Sequence, residues 1–197
     1  MAAKEDWREL AALADEKGSL YWKAVGQSIE ARHLALIGAP ANALPMITSA
    51  RNTLRSTGAN FLAPLDLAIL ASTHAALRKF DDAQRYIAEA MNTMDTNGEK
   101  WFEVEVNRIA GEVARKSPAP HAAKAEDYFE RALAVARRQQ AKSWELRAAM
   151  SLARLWRDQG KSQQARELLA PVYGWFTEGF DTLDLKEAKA LLEELAA

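Results

Sequence analysis

Apolar residues along this chain recur at helical rather than strand spacing. The clearest pattern is a triplet: an Ala, a large apolar residue four positions later, and a small apolar residue three after that. It occurs as Ala43/Ile47/Ala50, Ala83/Ile87/Ala90, Ala125/Phe129/Ala132 and Ala165/Leu169/Val172. Offsets of four and three place all three side chains on one helical face. The small outer residues let a neighbouring helix approach, and the large middle one fills the space between them. A further small residue lies twelve positions before the first Ala in three copies, as Ala31, Ala71 and Ala153. In the third copy it is Gly111, fourteen before, and the extra positions fall in Lys116-Ser117-Pro118-Ala119-Pro120. Period-two runs of β-branched residues, the mark of strands, are absent.

A second recurring element separates these faces. It reads Gly18-Ser19-Leu20-Tyr21-Trp22, Gly58-Ala59-Asn60-Phe61-Leu62, Gly98-Glu99-Lys100-Trp101-Phe102 and Ala141-Lys142-Ser143-Trp144, with a weaker copy from Gly179; the starts are 40, 40, 43 and 38 residues apart. The combination predicts a single array over 1–197 of stacked antiparallel helical hairpins, about ten helices in all. A first helix without its mate spans 3–17, hairpins span 20–57, 60–97, 99–140 and 142–177, and a last helix spans 182–195. Asp81 with Gln84 three later predicts a capping box, and Gly160 predicts a helix break. Each hairpin has apolar faces it cannot bury alone, so stacking is required and yields a superhelix with a concave side. A small residue midway along the first helix and a small–large–small triplet on the second is the layout of a tetratricopeptide repeat, here with a period near 40 instead of 34. The expected class is therefore all-α, a tetratricopeptide-like α-α superhelix.

The two ends differ. Ala3, Trp7 and Leu10 repeat the triplet forty residues before Ala43, Ile47 and Ala50. The first helix is thus the second member of a hairpin, which leads us to expect either a longer array or a partner, such as a second copy meeting Trp7 and Leu10. At the other end Ala188, Leu191, Leu192 and Leu195 form one stripe, opposite Lys186, Glu187, Lys189, Glu193 and Glu194. That suits a capping helix with a polar outer side.

From about Tyr128 the chain resembles a known family. The segments are Ala132-Leu133-Ala134-Val135-Ala136-Arg137-Arg138-Gln139, Ala141-Lys142-Ser143-Trp144-Glu145-Leu146-Arg147-Ala148-Ala149, Ser151-Leu152-Ala153-Arg154-Leu155-Trp156 and Gln159-Gly160. They continue with Ala165-Arg166-Glu167-Leu168-Leu169-Ala170-Pro171-Val172-Tyr173, Trp175-Phe176-Thr177-Glu178-Gly179-Phe180-Asp181-Thr182 and Asp184-Leu185-Lys186-Glu187-Ala188-Lys189. These are similar to the C-terminal tetratricopeptide region of bacterial adenylate/guanylate cyclase–ATPase signalling proteins. The likeness is specific over roughly the last 70 residues; before that mainly repeat spacing and Glu99-Lys100-Trp101-Phe102-Glu103 agree. It implies a scaffold or sensor segment presenting a repeat surface to a partner. It transfers no enzymatic activity, since the chain has no G-x-x-x-x-G-K-[ST] phosphate loop.

Composition narrows the chemistry. Hydrophobic residues make up 49% and charged residues 27%, the net charge is −1, and there is no cysteine. Thiolate zinc sites, disulfides and cysteine nucleophiles are thereby excluded, and bulk electrostatic capture of nucleic acid or anionic membrane is disfavoured. No apolar run approaches the roughly 20 residues of a membrane span, and the charged N-terminus lacks an apolar signal core. A cytoplasmic chain is expected, with neither cofactor nor metal.

His33, His74 and His121 sit in different hairpins without metal-ligand spacing. His74 occupies a packing position three after Ala71, where Trp156 stands after Ala153; His121 is expected in a solvated loop. Trp22, Trp101 and Trp144 recur at junctions and are expected in the core, with Trp175, Phe176 and Phe180 sealing the last hairpin. Asp81-Asp82 and Glu126-Asp127 are neighbours on a helix and point apart, so they make no acid/base dyad. No catalytic residue is expected.

Counted from the mid-helix small residue, the concave positions are Val25, Ser28, Arg32 and Ala35, then Leu65, Ala68, Ser72 and Ala75. The later repeats place Glu105, Arg108, Glu112 and Arg115 there, then Arg147, Met150, Arg154 and Arg157. Partner-binding candidates follow as Arg32, Arg108, Glu112, Arg147 and Arg154, with an acidic peptide or partner carboxylate docking on Arg108, Arg147 and Arg154. The alternative for that half is a solvated face with Glu105–Arg108 and Arg108–Glu112 pairs. The expected function is a non-enzymatic interaction module. A small-molecule sensor using Ala68, Ser72 and Ala75, or a structural dimerisation module, are the other readings.

Overall fold

The computed structural model describes residues 3–118 and 122–196. Among them are ten helices: α1 (Ala3–Glu16), α2 (Leu20–Leu36), α3 (Pro40–Ser56), α4 (Ala63–Ala76), α5 (Phe80–Asn97), α6 (Glu103–Lys116), α7 (Ala122–Arg138), α8 (Lys142–Asp158), α9 (Ser162–Tyr173) and α10 (Leu183–Glu194). The chain divides into two compact units, residues 1–100 and 101–197. In the first unit α2/α3 and α4/α5 form hairpins, α1 packs on α2, and α4 lies against both α2 and α3. In the second, α6/α7 and α8/α9 form hairpins, α7 and α6 both meet α8, and α10 rests on α8 and α9.

The helices start and stop for local reasons. Gly98 takes φ 68° directly after α5; Arg78 and Gln140 adopt φ 62° and 54° two residues past the ends of α4 and α7. A left-handed residue there closes the helix end, and Ala141 N–H donates to the Ala136 carbonyl at 2.9 Å in the manner of a Schellman motif. Two helices begin later than the apolar pattern predicts. Asn60-Phe61-Leu62 forms a turn in which Ala63 N–H donates to the Asn60 carbonyl, and Pro64, early in α4, suits a first helical turn; Trp101-Phe102 does the same before α6. The predicted capping box is corrected. α5 starts at Phe80 after Lys79, which makes no side-chain cap, so Asp81 and Asp82 lie in the first turn instead. There they still favour the positive helix end. α9 stops at Tyr173, before the predicted 177, because Gly174 follows and glycine costs ~1 kcal/mol in a helix interior.

The triplets form the core. All twelve triplet residues, from Ala43 through Val172, are buried, as are Ala31, Ala71 and Ala153. The third repeat has its own solution. A Cβ on Gly111 would lie 2.4 Å from Cε1 of Phe129. The largest middle residue of the four triplets thus faces the smallest mid-helix residue, and volume is conserved within the hairpin. The α10 stripe is buried through Leu185, Ala188, Leu191 and Leu195, with Lys186, Lys189 and Glu193 outside.

The junction tryptophans do not behave alike. Trp144 packs partly buried against the core of the second unit, 6.3 Å from Phe102. Trp22 and Trp101 remain 50% and 73% exposed, contrary to the core placement expected of them. Trp22 lies in the first turn of α2, as Trp144 does in α8, and Trp101 in the turn before α6, so register alone does not decide their burial. Trp175 is also more than half exposed, edge-on to Phe176 and under the Lys142 ammonium. Of the three residues expected to seal the last hairpin only Phe176 packs against the core, while Phe180 stays half exposed beside Tyr173.

Candidate functional site

The first helices of the hairpins carry the charged faces of both units. In the second unit α6, α8 and α10 lie side by side. Glu105, only 4% exposed, accepts from Nε and Nη2 of Arg108, both at 2.7 Å. It also meets Nη2 of Arg147 on α8 at 3.0 Å. One buried carboxylate therefore ties two helices together through two guanidiniums. Arg108 reaches on to Ser151 Oγ at 3.5 Å. Burial pushes the Glu105 carboxyl up, but the hydrogen bonds and charge of Arg108, with Arg147, outweigh it and hold its pKa below the ordinary carboxylate range. Burial pulls Arg108 down, and Glu105 more than restores it.

The rest of the face repeats this theme between α8 and α10. Arg154 donates to Glu187 at 2.8 Å and Arg157 to Glu194, while Arg147 lies 3.9 Å from Asp184. Of the two intrahelical pairs predicted on α6, Glu105–Arg108 forms. Glu112 turns instead to Arg115, at 3.0 Å, and Arg115 also approaches Asp158 at 3.5 Å. Arg108, Glu112, Arg147 and Arg154 are thus brought onto one face. Each arginine already pairs with a carboxylate of the chain itself, Arg154 with Glu187 of α10. Side-chain exposures of 30% and 31% leave Arg147 and Arg154 accessible.

In the first unit Arg32 is fixed by Asp66. The Asp66 Oδ1 accepts from Ser28 Oγ at 2.6 Å and from Arg32 Nη2 at 2.9 Å. Asp66 is 1% exposed. Val25, Ser28, Leu65, Ala68 and Ala75, predicted to face the groove, are buried between helices. Of the three residues suggested for a small-molecule groove, only Ser72 keeps surface. In α4 the positions six and three before the mid-helix Ala71, and the one four after it, pack between helices; Ser72, one after it, keeps some surface.

Sequence spacing gave the positions of the arginines and the Glu105–Arg108 pair but not the partners that come from other helices. Asp66 could have been noticed, because it stands five before Ala71, where the other repeats carry Gly26, Val106 and Ala148. The role of Asp184, Glu187 and Glu194 had no such signal, since it depends on how α10 docks. His74 is buried, with its ring 5.2 Å from Tyr86 and Nδ1 3.5 Å from Asp82. Burial lowers its pKa against the charge of Asp82, as suits a packing residue. Trp156, its counterpart, donates Nε1–H to Glu126 at 2.6 Å. His121 lies outside the described residues. Leu10 of α1 packs against Ala24, Val25 and Leu54, while Leu13 is half exposed. Among the described residues no cluster of His, Asp or Glu could hold a metal ion, and no helix is long and apolar enough to cross a membrane.

No family model matches this chain, and no curated protein matches it. Solved structures do. A kinesin light chain-type protein of Podosopora anserina with nearly identical tetratricopeptide-like repeats is similar at 16% identity and a TM-score of 0.59, over 88% of this chain and 85% of that one. A variant of the same protein matches at 17% identity and 0.56, over 88% and 93%. At such identity the likeness concerns the fold alone. The fold is all-α and tetratricopeptide-like.

Proposed function

We propose that this chain is a non-enzymatic interaction module that binds a peptide or partner segment along the α6–α8 face, with Arg108, Glu112, Arg147 and Arg154 as contacts and Arg32 as their counterpart in the first unit. The supporting observation is the Glu105–Arg108–Arg147 cluster. A guanidinium carries five N–H donors, and Arg147 and Arg154 each commit only part of theirs to chain carboxylates. The rest are available to carbonyls or carboxylates of a bound segment. Because the ion pairs already restrict these side chains, less rotamer entropy is lost on binding. The balanced charge of the face selects a ligand by hydrogen-bond geometry more than by long-range attraction.

The signalling context of the proposal rests on the sequence resemblance of the last 70 residues to bacterial cyclase–ATPase proteins. In such a cytoplasmic protein the face would engage a partner or the protein's own ATPase. Panning a random peptide library against the immobilised chain tests the binding surface. Enriched peptides are expected to lose about tenfold in affinity or more for Arg147→Ala/Arg154→Ala, the scale of one charged hydrogen bond. Equal binding to both proteins would refute the site. Self-association through α1 is a separate reading, supported by the half-exposed Leu13; light scattering that finds a monomer at all concentrations removes it.

A further inference from the structure

The first unit contains a pocket of about 220 Å³ between the C-terminal ends of α3 and α5 and the start of α4. That is far above the ~10–15 Å³ that one water requires and suits a molecule of amino-acid size. Its wall is polar. Arg51 and Arg55 come from α3, Asn60 precedes α4, and Thr93, Thr96 and Asn97 come from α5, with Asp66 also on the lining.

Charge and hydrogen-bond accounting defines what would fit. Arg51 is offset by Glu89 at 2.6 Å, and Asp66 by Arg32 at 2.9 Å. Arg55 makes no ion pair among the described residues, so the wall carries one uncompensated positive charge. The Thr93 and Thr96 hydroxyls donate to the backbone carbonyls of Glu89 and Asn92, both at 2.8 Å. Their lone pairs are left to accept. The side-chain amides of Asn60 and Asn97 make no hydrogen bond among the described residues and can donate or accept. Asp66 sharpens the case. At its register Gly26, Val106 and Ala148 are buried and suffice for packing, so a buried, fully compensated acid at the pocket is more than the fold requires.

We infer that this pocket binds a small organic carboxylate carrying hydrogen-bond donors: an amino or hydroxy acid, or the C-terminal residue of a peptide. The carboxylate pairs with Arg55, and its hydroxyl or amino groups donate to Thr93, Thr96 and the Asn carbonyls. A single carboxylate matches the single free charge of Arg55, whereas a phosphate dianion would leave surplus negative charge beside buried Asp66. The site belongs wholly to the first unit, and the inference does not rest on the α6–α8 face.

The test uses the full chain, titrated with the proteinogenic amino acids, lactate and glycerate, and with short peptides having free or amidated C-termini. The readouts are calorimetry and the Asn60 and Asn97 side-chain amide NMR signals. Saturable binding is expected, with those amide signals shifting and affinity falling about tenfold in Arg55→Ala, as loss of a charged hydrogen bond predicts. Arg166→Ala, which removes an exposed arginine of the other unit, should leave affinity unchanged. Binding by free acids alone identifies a small-molecule site, and binding by free-carboxylate peptides alone identifies a peptide-terminus site. Absence of binding across the panel, or binding unchanged in Arg55→Ala, overturns the inference.

Discussion

Gly111→Ala isolates the volume exchange inside the third repeat. The added methyl would lie 2.4, 2.6 and 2.9 Å from Cε1, Cδ1 and Cζ of Phe129. Carbon atoms prefer ~3.5–4.0 Å, so the ring must retreat by roughly 1 Å. Phe129 is fully buried and has no open side to move into. Overpacking of this kind costs about 1–3 kcal/mol. Replacing glycine by alanine in a helix interior returns about 1 kcal/mol. The net expectation is a loss of up to about 2 kcal/mol. Phe129→Leu alone leaves a void and is expected to cost a similar ~1–2 kcal/mol. The double variant recreates the pairing of Ala153 with Leu169 in the fourth repeat and should lie within ~1 kcal/mol of the parent. A double-mutant cycle in urea, followed by far-ultraviolet circular dichroism and tryptophan fluorescence, measures the coupling, expected at about 1–3 kcal/mol. Stabilisation by Gly111→Ala, or simple additivity of the two changes, would refute the packing argument.

Glu105→Gln leaves Arg108 and Arg147 without their shared carboxylate and should destabilise the second unit by about 3–5 kcal/mol, the cost of stranding a buried charge; denaturant melts report it. Because the folded pKa of Glu105 is depressed, its contribution is present above the unfolded pKa of about 4.3 and is lost as pH falls through the lower folded value, so the gap between parent and variant should narrow in acid. His74 also has a lowered folded pKa, so the unfolded chain binds its proton first. Stability should fall as pH drops below about 6.5, and His74→Phe should flatten that part of the thermal-stability profile. Trp101→Ser should change stability by less than about 0.5 kcal/mol, whereas Trp144→Ala, at the same register but packed on the core, should cost about 3 kcal/mol.

The helices and their pairing are legible in the amino-acid pattern alone. Triplets at offsets four and three mark the buried face of α3, α5, α7 and α9 because helical periodicity by itself brings those side chains together, and a left-handed glycine marks the ends of α1, α2, α3, α5 and α8. The polar surface is legible only as positions. Spacing puts Arg108, Arg147 and Arg154 on one face, but whether a guanidinium is free or paired depends on residues about a whole repeat away along the chain. Glu105 reaches Arg147, Glu187 reaches Arg154, and Asp66 reaches Arg32 only once neighbouring helices pack. Junction aromatics follow the same rule, since equal register leaves Trp101 in solvent and Trp144 against the core. Local sequence sets periodicity, and with it which faces are apolar. The partners of charges and the shape of the pocket near Arg55 belong to tertiary structure, because they arise where side chains from different helices meet.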